Sequence, residues 1–246
     1  MRRRCLLGLL GLSPIAPSLA AEPGLAPPPG AALPLGLPVR DAAGRPLTLG
    51  DALGGRPTVF VFADYDCTTL CGTTLGLAAA TLPGTGLRPG QDYRLVVLGL
   101  DAADGPDKAM AMRHAWLGDS GALARTAAFL IAGEPALAAA MQALSYAVAR
   151  RGDGFDHPLA LFVLHGDGRL SAVMPALGAE PEELRAALRD AGRAAPPGLF
   201  AQVRLLCAAA AGHGGALRGV LAAGGAATLG LLAGGLVLLR RREPGA

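Results

Sequence analysis

The chain has 246 residues and a formal net charge of +3, but Arg2–Arg4 and Arg240–Arg242 supply six positive charges at its two ends, so the body between them is not basic. Aromatic residues make up 4% and interleave with no basic stripe, which argues against a nucleic-acid partner. With the ends set aside, about 160 residues remain, enough for one domain with its own core.

The first residues, Met1-Arg-Arg-Arg4, Cys5 to Leu12 and Ser18-Leu-Ala-Ala21, combine a basic start, an apolar run and a small-residue cleavage site. That pattern predicts a secretory signal over 1–21, which would carry Cys5 away. Residues 22–36 are dense in Pro, Gly and Ala without a period and read as a flexible leader, so the domain is expected over 37–194.

Within it, Val39 to Leu49 predicts a hairpin turning at Gly44, and the apolar run Thr58–Ala63 a buried strand. A helix is expected over Thr73–Leu82, a strand over Arg94–Leu100 and a helix over Asp107–Leu117. Ala127–Ile131 then predicts a strand, Pro135–Leu144 a helix and Tyr146–Arg150 another strand. Leu159–Leu164 and Arg169–Met174 form a hairpin around Gly166-Asp-Gly168, and a helix over Glu180–Ala191 closes the domain. Strands alternating with helices, ending in a late hairpin, imply an α/β sandwich with a mixed sheet.

Ala194 to Gly198 opens a linker over 195–218. Gly219–Leu239 has no charge and runs directly into Arg240–Arg242, which predicts a transmembrane helix over 219–239 and a cytoplasmic tail over 240–246. The domain would then stand outside the membrane, held by a single C-terminal pass.

Removal of the signal leaves Cys67, Cys71 and Cys207, an odd number for an exported chain. Cys67 and Cys71 follow the buried strand and open the next helix. There the helix N-terminus favours thiolates, and residues four apart share a face. Such a pair suits soft-metal binding or dithiol exchange, although two cysteines one turn apart also occur as packing residues. His157 lies in Phe155-Asp-His-Pro158, just before a strand, and Pro158 biases it toward an extended backbone. An α/β sheet can bring this loop to the edge that carries the cysteines; two thiolates and one imidazole would suit copper, above all Cu(I). Asp64, Asp66, Asp101 and Asp104 either surround that site or are solvated loop acids. His114 and His165 read as structural or exposed, and Met174 is the methionine nearest to being a soft ligand.

The cysteine turn, the stretch Gly86 to Pro106, the Phe-x-His-Pro at His157 and the Gly-Asp-Gly-Arg hairpin resemble the Sco/SenC family, in the expected order and over roughly Leu37 to Ala194. Val203-Arg-Leu-Leu-Cys207 before a C-terminal membrane helix resembles a bacterial branch of it. The resemblance implies a thioredoxin-like fold and a copper metallochaperone that assists assembly of the dinuclear copper centre of a cytochrome c oxidase. Its partners would be the copper-centre subunit of that oxidase and other periplasmic copper carriers or thiol reductants. Cys67, Cys71 and His157 would hold Cu(I) or Cu(II). The alternative role is a thiol–disulfide oxidoreductase in which Cys67 and Cys71 are catalytic. The chain departs from the family in having Thr68 and Gly72 where proline commonly follows each cysteine, and Ala102 where proline follows the first acid of the Asp101 loop. Cys207, with His213 near it, reads as a packing or free thiol.

Overall fold

Thr58–Ala63 is buried at all six positions, as a strand in the middle of a sheet must be. The computed structural model describes residues 23–66, 72–152 and 154–193; the signal, Cys67 and Cys71, the 195–218 linker with Cys207 and His213, the expected membrane helix and the tail lie outside the described residues. Among those described, no helix is long and apolar enough to cross a membrane.

In chain order the elements are β1 (Gly24–Leu25), β2 (Pro38–Asp41), β3 (Pro46–Thr48), α1 (Leu49–Leu53), β4 (Thr58–Ala63), α2 (Gly72–Thr81), a 3-10 turn (Leu82–Thr85), β5 (Arg94–Gly99), α3 (Pro106–Leu117), α4 (Ala122–Thr126) and β6 (Ala128–Ile131). They continue with α5 (Glu134–Ala143), β7 (Tyr146–Ala147), β8 (Ala149–Arg151), β9 (Gly154–Asp156), β10 (Ala160–Leu164), β11 (Leu170–Pro175) and α6 (Pro181–Ala191). A seven-stranded sheet runs β11-β10-β4-β5-β6-β2-β3. Its centre, β4-β5-β6, is parallel and its flanks are antiparallel, which makes the expected mixed sheet.

Period-2 alternation assigns each strand residue to a face. Phe60, Phe62, Val96, Leu98, Leu130 and Phe162 pack on one side with Leu53 and Leu137, and Val59, Val61, Leu95, Val97, Phe129 and Val163 on the other with Leu75, Met112 and Leu184. The large side chains among them are wholly buried, each worth about 1.5–3 kcal/mol. Met174 belongs to the second core, packed on β11 opposite Leu161, so burial among apolar neighbours accounts for it. His165 is buried with Nδ1 2.9 Å from the Ala191 carbonyl and has a structural role.

Three elements differ from expectation. Residues 23–38 do not form a loose leader. β1 pairs with β7, Leu33 N–H donates to Gly168 O at 2.9 Å, Leu170 N–H to Ala31 O at 2.8 Å, and Ala31 and Leu33 are buried. Their backbone groups find partners on the β10–β11 turn, where a Cβ on Gly168 (φ +84°) would lie 2.7 Å from Leu33 O. Packing therefore begins near residue 24, not 37. The single strand expected over Tyr146–Arg150 is split, because β7 takes β1 as partner and β8 takes β9. Finally, α1 forms from a capping box: Thr48 Oγ1 accepts from Asp51 N–H at 3.1 Å and Asp51 Oδ2 accepts from Thr48 N–H at 2.9 Å. Thr48→Ala should cost about 1 kcal/mol, read as a lower urea midpoint at unchanged slope.

Candidate metal centre

β4 delivers Asp64, Tyr65 and Asp66 to its carboxyl end, and Gly72 resumes the described chain as the first residue of α2. In α/β sheets this edge is where ligands are bound. β10 is antiparallel to β4, with Phe162 opposite Phe60 and Leu164 opposite Thr58, so the start of β10 lies at the carboxyl end of β4. His157, three residues before β10, thus enters the sheet at the edge from which the Cys67–Cys71 segment departs. Asp64 fastens the two: its Oδ2 accepts from Phe155 N–H at 3.1 Å, and its Oδ1 from Asp66 N–H at 3.1 Å.

Tyr146 Oη donates to Pro158 O at 2.9 Å and lies 2.8 Å from His157 Nδ1; Nδ1 is itself 3.2 Å from Pro158 O. With the phenol proton directed to the carbonyl, the network is best satisfied by the tautomer in which Nδ1 carries the proton and donates it, since a lone pair there would face the carbonyl lone pairs. Nε2 is then the unprotonated nitrogen. It is buried and has no hydrogen-bond partner among the described residues. Burial holds the His157 pKa below the ordinary 6.5, against the Pro158 carbonyl and the charges of Asp64 and Asp156, which favour the imidazolium. This is the form of a histidine ready to ligate through Nε2, its other nitrogen anchored by an oxygen. Tyr146 is in turn held by the core, stacked on Phe62 with centroids 4.4 Å apart at 18° and edge-on to Phe162 at 5.8 Å.

The sign of the pH dependence follows. A histidine whose pKa is lower folded than unfolded takes up fewer protons when folded, so stability is full above about pH 6.5 and falls as pH drops toward the folded value. Urea midpoints at pH 7.5 and 5.5 should therefore differ more for the parent than for His157→Gln.

The acids occupy two environments. Asp64 and Asp104 are buried, which sets aside the solvated-acid alternative for these two, whereas Asp66 is exposed. Lys108, the chain's one lysine, pairs with Asp66 and with Asp104 Oδ1 at 3.2 Å, and these carboxylates hold it firmly charged. Burial raises the Asp104 pKa against the pull of Lys108, with Asp66 and Asp101 adding to the rise. Asp101 pairs with Arg150 at 2.9 Å, and Arg150 lies 4.5 Å over the Phe155 ring. The 101–104 loop is thereby tied both to the residue before Cys67 and to the hairpin before His157. His114 is exposed and paired with Asp119.

Among the described residues no group of three or more His, Cys, Asp or Glu is placed to hold a metal ion. His157 would need donors from elsewhere in the chain. Tyr146, which fixes its tautomer, has no sequence signal: the two are eleven residues apart and meet only through the packing of Phe62. An unprotonated imidazole nitrogen is the kind of donor soft cations take, and Nε2 has no hydrogen-bond partner among the described residues.

A mixed sheet with a parallel centre and helices packed on both faces gives a thioredoxin-like α/β fold. The solved structures of similar shape place the fold within that class as the fold of Sco proteins. BsSco, a Sco-family cytochrome c oxidase assembly protein with a disulfide switch, superimposes with a TM-score of 0.55 at 12% identity, covering 70% of this chain and 99% of that one. The copper-bound ScoI of Arabidopsis thaliana gives 0.52 at 12% identity over 63% and 99%. A protein of Aquifex aeolicus VF5, assigned provisionally to electron transfer, gives 0.59 at 19% identity over 66% and 93%. No family model matches the sequence, and no curated protein matches it.

Proposed function

We propose that this chain is a Sco/SenC-type copper metallochaperone that assists assembly of the dinuclear copper centre of a cytochrome c oxidase, anchored in a bacterial inner membrane by a helix over 219–239 with its domain on the periplasmic side. Cys67 and Cys71, as thiolates, and His157, through Nε2, are the copper ligands. The observation that carries this reading is the His157 nitrogen: buried, without a hydrogen-bond partner among the described residues, and oriented by Tyr146 and Pro158 at the edge of the sheet where β4 ends. Copper is the cargo. Two sulfurs and one imidazole give a soft, three-coordinate set that suits Cu(I), and reduced cysteines are a condition of loading.

A second reading, a thiol–disulfide oxidoreductase that reduces the copper-binding cysteines of the oxidase subunit, uses the same two sulfurs and is supported by the likeness to a Sco protein with a disulfide switch. Anaerobic Cu(I) titration of the fully reduced chain against a competing chelator separates them. One tight equivalent, absent after alkylation of the thiols, supports the chaperone. A reduced chain that takes no tight copper yet exchanges disulfides readily with a small dithiol supports the reductase.

A further inference from the structure

β2 pairs with β6 only through Arg40 opposite Ile131 and Asp41 opposite Leu130, after which the chain turns away into the β2–β3 hairpin. Ala128 and Phe129 of β6 consequently have no strand neighbour on that side among the described residues. The gap is an open cleft of about 440 Å³ lined by the hairpin, α1, α3, α4 and the amino end of β5 with Arg94, whereas His157 lies at the carboxyl edge. Its volume is in the range of small-molecule sites, roughly 300–1,000 Å³.

Four arginines line it, Arg45, Arg94, Arg113 and Arg125, against two carboxylates, Asp41 and Asp51. Both carboxylates are committed locally. Asp41 accepts from Ala43 N–H at 2.9 Å, Arg45 N–H at 3.0 Å and Arg45 Nε at 2.8 Å. Asp51 accepts from Thr48 N–H and from Thr48 Oγ1 at 2.6 Å in the α1 cap. Arg45 is spent on Asp41. The other three guanidinium groups have no carboxylate partner among the described residues: Arg113 donates only to Ala124 O at 3.1 Å, and no acceptor is found for Arg94 or Arg125. Arg94 Nε and Arg113 Nε are moreover buried, with no partner among the described residues. Buried donors on cations are left without acceptors only at a cost, which an anion would remove.

We propose that this cavity binds a small organic dianion, a phosphate monoester or a dicarboxylate, with its charged head between Arg94, Arg113 and Arg125. Guanidinium groups suit both heads because their paired N–H donors match two oxygens at once. The body of the ligand rests on Leu47, Ala52 and Phe129, an apolar wall that a bare inorganic ion would leave unfilled.

Calorimetric titration of the full-length chain in a non-ionic detergent tests this with three probes: phenyl phosphate, phthalate and inorganic phosphate. Saturable binding of phenyl phosphate or phthalate, at least about tenfold tighter than inorganic phosphate and about tenfold weaker in Arg125→Gln and in Arg94→Gln, is the expected result. Which of the two ring compounds binds more tightly identifies the head. Arg125 is exposed, so its substitution leaves the core intact and decides the matter even where Arg94→Gln fails to fold. Arg169, on the β10–β11 turn and paired with Asp167, is the control. No saturable heat with either ring compound up to about 20 mM, binding that Arg125→Gln leaves unchanged, or equal weakening by Arg169→Gln would overturn the proposal.

Discussion

His157→Ala is expected to weaken Cu(I) binding by more than the roughly 10- to 100-fold that loss of a ligand's hydrogen-bonding partner costs, while leaving the metal-free fold close to its parental stability. The two halves of this result have separate causes. The substitution deletes the nitrogen that would meet the metal. It also deletes a buried acceptor that has no partner among the described residues, whose desolvation costs about 1–3 kcal/mol, and this offsets the lost hydrogen bonds at Nδ1. Tyr146→Phe keeps the ligand but removes the oxygen that anchors Nδ1, and should weaken copper roughly 10- to 100-fold. Chelator competition on the two variants measures both, and a urea midpoint on each metal-free chain checks the fold. Parental copper affinity in His157→Ala would eliminate this histidine as a ligand.

The second large effect concerns Gly72, the first residue of α2. A Cβ there would lie 1.9 Å from Cζ2 of Trp116, and one on Gly76, a turn later, 2.5 Å from its Cζ3. The two glycines form a shallow trough on α2 in which the α3 indole rests. Gly72→Ala must displace the ring, an overpacking that costs about 1–3 kcal/mol. At the first position of α2 little helix propensity is gained in return. Gly72→Pro needs the same space and should behave likewise. Urea denaturation should show the loss for Gly72→Ala alone. Combined with Trp116→Leu, the two changes should cost less than their sum, because the smaller side chain vacates the trough. Strict additivity would mean that the contact does not set the cost.

The central strands were legible because uninterrupted apolar runs such as Thr58–Ala63 and Leu95–Leu98 can be buried on both faces in only a few ways. The placement of His157 at the cysteine edge could likewise be anticipated, since Pro158 and the apolar strand after it fix where the chain enters the sheet. Other features depend on contacts between residues far apart in the chain. Asp64 and Asp66 are two residues apart in an acidic loop, and only Phe155 N–H, ninety-one residues on, makes one of them a buried acceptor. Tyr146 becomes an anchor for His157 through Phe62 and Phe162. Residues 23–38 have the composition of a linker and pack because Gly168 lets Leu33 approach. The Thr48-x-x-Asp51 box was present as a local signal, and α1 after it is only five residues long.

The contact between Trp116 and Gly72 also furnishes an optical readout. Trp116 is the chain's sole tryptophan, and its ring rests against the residue that follows Cys71. Indole emission from the unlabelled protein therefore comes from one place, beside the segment that carries both sulfurs. Oxidation of the thiols or arrival of a quenching metal should appear as a change in intensity or wavelength, in real time and with no tryptophan background to subtract. A Trp116→Phe chain, silent under the same excitation, supplies the blank.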